Sequence, residues 1–219
     1  MDGPEAARRL PGGTLCGEYL GNYTPDATSG VCAREGFDAV GSPVGRRARS
    51  VITREYQKGD AFSVAVYSDC ESYRYLLARE WQPAAGRVLF VMLNPSTATE
   101  FQNDPTVERC ERRARALGFG AFRVVNIFAY RATDPKVMRA VEDPVGAGND
   151  AAIVESLDWA DQVVCAWGGH GAYLGRGRLV AQLLRSKGKA LFHLGLTRDG
   201  EPKHPLYIGY AEQPRLWVP

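Results

Sequence analysis

Four short stretches of this chain deliver polar and aromatic side chains directly after apolar runs. Asn94, Ser96 and Thr97 follow "RVLFVML", and Asn103 and Asp104 come soon after. Asn126 ends "AFRVVN", with Tyr130, Arg131, Thr133 and Asp134 behind it. Trp167, Gly168, Gly169 and His170 follow "QVVCA", while Lys203 and His204 follow "ALFHLGLT". An amide inside an apolar strand must find partners or cost on the order of 1–3 kcal/mol. Asn126 therefore reads either as a satisfied structural amide or as a reader of a ligand's amide-like edge. Asn94 before Pro95 either makes a side-chain turn or serves a site. Trp167 before Gly-Gly either packs in the core or floors a pocket. Asp104 suits a helix cap. His170 among Gly168, Gly169 and Gly171 suits phosphate at a helix N-terminus. His204, in a Lys-His-Pro loop, reads as functional; His193, inside a strand, reads as core or edge.

These groups need elements to hold them. "AFSVAVYS" alternates and predicts a strand. "YRYLLAREW" fits an edge strand or a short helix. "RVLFVML" is continuously apolar, as a parallel strand covered on both faces should be. "TVERCERRARALG" predicts a helix, with Asp104 and Pro105 at its start and Gly118 at its end. Two further strand and helix pairs follow: "AFRVVNIFAY" with the helix around "NDAAIVESLDW", capped by Asn149 or Asp150, and "QVVCAWGG" with "RGRLVAQLLRSKG". "ALFHLGLT" closes the series as a fourth strand. Strand–helix alternation predicts right-handed crossovers and a three-layer α/β/α domain with a central parallel four-stranded sheet. In such sheets the site lies beyond the carboxyl ends of the strands, where the four stretches fall. The expected organisation is an irregular N-terminal arm over 1–50, rich in Gly, Pro and Ser, and one α/β domain over 51–219. "RRARS" (Arg46–Ser50) is a solvated linker or an arm that tracks phosphates.

Composition narrows the class. The chain has 219 residues, 45% hydrophobic and 24% charged, which suits a soluble globular core. The net charge of +2 announces no global field for nucleic acid, though a local basic face still binds phosphates. The five cysteines form no short-spaced pair, so no metal site and no cofactor is expected. Their scatter and odd count favour reduced thiols and a cytoplasmic location. No signal peptide and no membrane span is read from the sequence.

"YRYLLAREW", "LNPSTA", "NDPTVERC", "VVNIFAYRATDP", "GAGND", "AWGG" and "GEPKHPLYIG" together resemble the DUF1643 family from about Ala61 to Tyr210. That family carries no assigned reaction. The order of loops is also similar to the uracil-DNA glycosylase superfamily. Those proteins place an Asp-Pro or Asn-Pro pair after the first core strand, as in "MLNPS". They place a base-reading Asn at the end of the next, as Asn126 stands here, and a His-Pro pair after the last, as in "KHPLYIG". Leu206 and Tyr207 stand where that superfamily often has small Ser-rich residues. No cysteine tetrad for an iron–sulfur cluster is present.

The resemblance implies a DNA glycosylase that hydrolyses the N-glycosidic bond of an altered base flipped out of DNA. It implies catalytic roles for Asn94, which would orient water, for His204, which would donate to the leaving base, and for Asp104 as alternative activator. It assigns the base to Asn126, Trp167, Tyr130 and Phe101. Ser96, Thr97, Arg131, Lys203 and His170 would hold phosphates, with Arg112, Arg113 and Arg115 adding basic surface. The implied partner is DNA, with no obligatory protein partner and no cofactor. A free nucleoside or nucleotide substrate, or a nucleic-acid-binding module without catalysis, are the other readings.

Overall fold

A computed structural model describes residues 50–218, so the expected arm lies outside the described residues apart from Ser50. Eight strands are β1 (Val51–Lys58), β2 (Ala61–Ser68), β3 (Arg74–Glu80), β4 (Arg87–Met92), β5 (Ala121–Asn126), β6 (Gln162–Cys165), β7 (Leu191–His193) and β8 (Arg215–Leu216). The helices are α1 (Pro105–Ala116), α2 (Pro135–Ala140), α3 (Asn149–Trp159) and α4 (Arg176–Ser186). The fold is mixed α/β. One sheet runs in the order β1-β2-β3-β5-β4-β6-β7-β8.

The four runs expected to be parallel are parallel: β4 pairs with β5 and β6, and β6 with β7. The expected four-stranded sheet needs correction, because among the described residues the sheet has eight strands. The antiparallel strands β1, β2 and β3 extend it beyond β5, and β8 extends it beyond β7. β1 went unread because it is an edge strand whose middle, from Thr53 to Gln57, is exposed and lacks apolar alternation. Its partner β2 is legible through the alternation of "AFSVAVYS", and a tight turn at Gly59, where φ is +61°, joins the two strands. "YRYLLAREW" resolves as strand, with Arg74–Glu80 buried throughout.

Helices cover both faces. On one, Val107, Cys110 and Ala114 of α1 pack on Phe90, Met92, Phe122 and Val124. On the other, Ile153 and Leu157 of α3 and Val180 and Leu184 of α4 pack on Leu89, Val91, Val125 and Val163. Each such side chain contributes roughly 1.5–3 kcal/mol, which makes the β4 carboxyl end a stiff mount. α1 starts as read: Asp104 Oδ1 accepts from the N–H groups of Thr106 and Val107, with Pro105 in the first turn. Asp134-Pro135 repeats that device at α2, where Asp134 accepts from Lys136, though this short helix was not read from the sequence.

A register shift between Val66 and Tyr67 matters for the site. Side chains alternate along a strand, but Tyr75 and Leu76 both join the cluster with Val64 and Val66. The shift therefore turns Arg74 onto the α1 side, which it shares with Leu77 and Arg79.

Candidate functional site

The polar groups follow the carboxyl ends of β4, β5, β6 and β7 in the chain. The loop from Asn94 to Asp104 is tied down from below. Arg79 donates to Thr99 O at 2.6 Å, to Asn103 Oδ1 at 3.2 Å and to Ser63 Oγ at 2.5 Å. Arg74 Nη1 donates to Ala98 O at 2.5 Å, Tyr67 OH to Glu100 Oε2 at 2.9 Å, and Ser63 Oγ to Glu100 O. Within this frame Asn94 Nδ2 donates to Ala132 O at 2.6 Å and Pro95 O at 3.0 Å. Both partners only accept, so the amide orientation is determined and Oδ1 is left as a free acceptor. Asn94 thus ties its loop to the segment after β5.

Asn126 closes β5. Phe122 and Val124 face α1, while Val125 and Ile127 face the other side, so Asn126 faces α1. It is 2% exposed, and its side chain makes no hydrogen bond with any described residue. Its main chain is clamped instead. Asn149 Nδ2 donates to Asn126 O at 2.9 Å and Ile127 O at 3.1 Å, and Arg176 Nε donates to Ile127 O at 2.8 Å. Arg176 also pairs with Asp150. The expectation that Asn149 or Asp150 caps α3 is corrected: Gly148 occupies the cap, without a side-chain bond.

His204 is half-buried after β7. Leu206 N–H donates to its Nδ1 at 3.4 Å, so the neutral ring carries its proton on Nε2, which has no partner among the described residues. Burial pulls the His204 pKa down to about 4, with nearby Asp104 opposing and His170 reinforcing the shift. His204, Asp104 and His170 are thus electrostatic neighbours. Asp104 is the helix cap, and its Oδ2 stays free of the cap bonds. His170 is exposed, with Nδ1 at 2.8 Å from Arg139 Nη2 of α2.

Other expected site residues fall elsewhere. Trp167 is 1% exposed and is a core residue rather than a pocket floor. Its Nε1 donates to Glu201 Oε2 at 2.6 Å, and its ring meets Trp217 edge-on. Tyr130 is half-buried, its ring set nearly perpendicular to that of Tyr73. Phe101 is exposed and leans on Tyr56 of β1. Ser96 Oγ bonds Thr133 Oγ1 at 3.2 Å, Thr97 is exposed, and Arg131 reaches Glu71 O at 3.1 Å. Lys203 is exposed and borders a groove of about 440 Å³ with Tyr207, Glu212 and Arg215, whose lining excludes Asn94 and Asn126. Arg112, Arg113 and Arg115 of α1 have partners within the chain. Arg113 binds the carbonyls of Gly209 and Glu212, Arg115 pairs with Asp60 and Glu111, and Arg112 pairs with Glu108. Among the described residues no cluster of His, Cys, Asp or Glu could hold a metal ion, and no helix is long and apolar enough to cross a membrane.

The local sequence pattern does not mark Arg74, Arg79, Asn149 and Arg176 as residues that build this region. Two arginines within one apolar strand were a signal, since buried cations seek oxygen.

A family model described as a protein of unknown function, DUF1643, matches residues 74–206, more than half of the chain. The chain belongs to the DUF1643 family. The matched span of this DUF1643 member starts at Arg74 and ends just after His204 and Pro205, so it encloses Asn94, Asp104, Asn126, Asn149 and Arg176. No curated protein and no solved structure matches it.

Proposed function

We propose that this chain is a DNA glycosylase-like hydrolase acting on an altered base flipped out of DNA. The observation that carries the reading is the pair of free groups at the carboxyl ends: the buried, unpartnered amide of Asn126 and the unpartnered Nε2–H of His204. The loop order shared with the uracil-DNA glycosylase superfamily supports it. So do four parallel strands at the centre of the sheet, although the sheet as a whole is larger.

In this reading the Asn126 amide reads the base edge. The bond between base nitrogen and sugar C1′ breaks, and water oxygen bonds to C1′. Asn94 Oδ1 accepts from that water and orients it. Asp104 Oδ2 takes the proton that the water gives up. The leaving base gathers negative charge, and the neutral His204 donates a hydrogen bond to it. His170, with Arg139 beside it, supplies the cationic edge for phosphates.

The test is base release. Purified protein is incubated with duplex and single-stranded oligonucleotides carrying deaminated, alkylated, hydroxymethylated or glucosylated bases, followed by alkali. Strand breaks dependent on one base, lost in Asn94→Ala and His204→Ala, support the reading; an undiminished yield in both variants sinks it. A second reading, an N-glycosidase on a free nucleoside or nucleotide, draws on the internal use of Arg113 and Arg115, which leaves less basic surface for a duplex. Binding that weakens steeply with salt favours DNA; salt-independent turnover of a nucleoside favours the second reading.

A further inference from the structure

Arg74 makes fewer hydrogen bonds than the buried Arg79 and Arg113, although all three leave Nε without a partner. It is 2% exposed on β3, and its guanidinium makes one hydrogen bond, to Ala98 O. Nε is buried without a partner, and Nη2 bonds no described residue. Arg79 and Arg113 each satisfy several acceptors, and Arg176 meets both a carbonyl and Asp150. A buried guanidinium without a paired carboxylate is costly, and the carboxylate whose charge Arg74 feels, Asp104, makes no hydrogen bond to it. Among the described residues Arg74 is in no ion pair. Burial pulls its pKa down to about 10, with Tyr67 and Asp104 opposing, so it stays a cation at neutral pH.

A second cation flanks it. Arg131 lies over the Tyr67 ring at 5.2 Å, spends Nη1 on Glu71 O, and has a buried Nε without a partner. Tyr67 gives its own hydroxyl to Glu100, so that carboxylate is already engaged.

The position of Arg74 is informative. β3 is the neighbour of β5, with Leu77 opposite Val124, and Arg74 N–H donates to Ala129 O. Asn126 lies between those two tie points and faces the same side of the sheet. Two buried polar side chains with spare hydrogen-bonding atoms therefore stand side by side under the Asn94–Asp104 loop.

We propose that the site takes a ligand carrying an anionic oxygen next to an amide-like edge, with Arg74 binding the anion and Asn126 the edge. This rests on reading the strand ends as the substrate site. The shared chemistry is an oxyanion. It is either a carboxylate substituent on the base or the phosphate of the nucleotide. An uncharged base leaves the Arg74 fork unfilled.

The experiment is isothermal titration of the full chain at fixed ionic strength with four probes. They are inorganic phosphate, a deoxynucleoside 5′-monophosphate, a deoxynucleoside bearing a carboxylate on its base, and the same deoxynucleoside without it. The expected result is that an anionic probe binds at least about tenfold tighter than the uncharged nucleoside. That preference disappears in Arg74→Met and persists in Arg79→Met, which loosens the same loop. The two anionic nucleoside probes then report where the charge resides. Equal binding of charged and uncharged probes, no binding of any probe, or equal loss in both variants overturns the assignment. Should Arg74→Met not fold, Arg74→Lys keeps the charge without the fork; it must weaken the anionic probes selectively, and an equal drop for all probes overturns the proposal. Base release without charge preference removes this assignment and leaves the glycosylase reading standing. Charge-dependent binding without base release from any oligonucleotide does the reverse.

Discussion

The side-chain amide of Asn149 donates to the main-chain carbonyl of Asn126 across 2.9 Å. The same Nδ2 reaches Ile127 O, and Asn149 is fully buried. This contact fixes the end of β5 from the first turn of α3, and Asn126 can point only where that end allows. Replacing Asn149 by Ala leaves a buried carbonyl without its donor and should lower the unfolding free energy by about 2–3 kcal/mol in urea denaturation. Asn149→Asp should cost more at neutral pH, because a carboxylate then faces two carbonyls. The gap between the two variants should narrow in acid, where the protonated side chain donates again. An Asn149→Ala protein as stable as the parent would show that this contact does not clamp β5.

His204 predicts a specific pH dependence. Its pKa falls from 6.5 to about 4 in the fold, chiefly through burial. Between those values the unfolded chain holds the proton and the folded one does not. The His204 contribution is therefore complete above pH 6.5 and is lost as pH falls to about 4, by at most on the order of 3 kcal/mol. Denaturation of the parent and of His204→Gln at pH 7 and pH 5 measures it. The parent should lose more stability than the variant on acidification, and parallel losses would contradict the shift.

Asn94 is anchored through its amino group, with 2.6 Å to Ala132 O. Asn94→Asp would set a carboxylate against two carbonyls. In the glycosylase reading, a stronger base in this position should not help. Base release should fall by at least about tenfold, with stability lowered by roughly 1–3 kcal/mol. A gain in base release would mean that the anchored orientation is not what the reaction uses.

Trp167 serves the core, and Gly171 tests this. A methyl group at Gly171 would collide with the Trp167 indole, which Gly177 also approaches closely. The indole cannot retreat, because its Nε1 is held by Glu201 and its ring by Trp217. Gly171→Ala should cost about 2–3 kcal/mol in thermal or chemical unfolding. A neutral substitution would mean that the indole has room to move.

The four apolar runs and the helices between them were legible in the sequence. Continuous apolar strands, the Asp104-Pro105 start and the glycine stop of α1 are local signals, each acting within a few residues. They placed Asn94 and Asn126 at the carboxyl ends of β4 and β5, where Asn126 closes β5 and Asn94 follows β4, while His204 comes from a loop well beyond the end of β7. The same local signal at Asp134-Pro135 went unused, although it starts α2 in the same way.

What the local pattern could not supply was which buried groups satisfy one another. Trp167 before two glycines reads equally as pocket floor or core, and only the approach of Gly171, Gly177 and Glu201 decides for the core. Arg113 reads as a phosphate cation in the sequence, and its carbonyl partners lie some 95 residues away along the chain. Arg74 was hidden by a one-residue register shift that turns its side chain toward Asn126 instead of away. Strand and helix preference is written in neighbouring residues. Hydrogen-bond satisfaction is decided by distant segments that meet only once the sheet has formed.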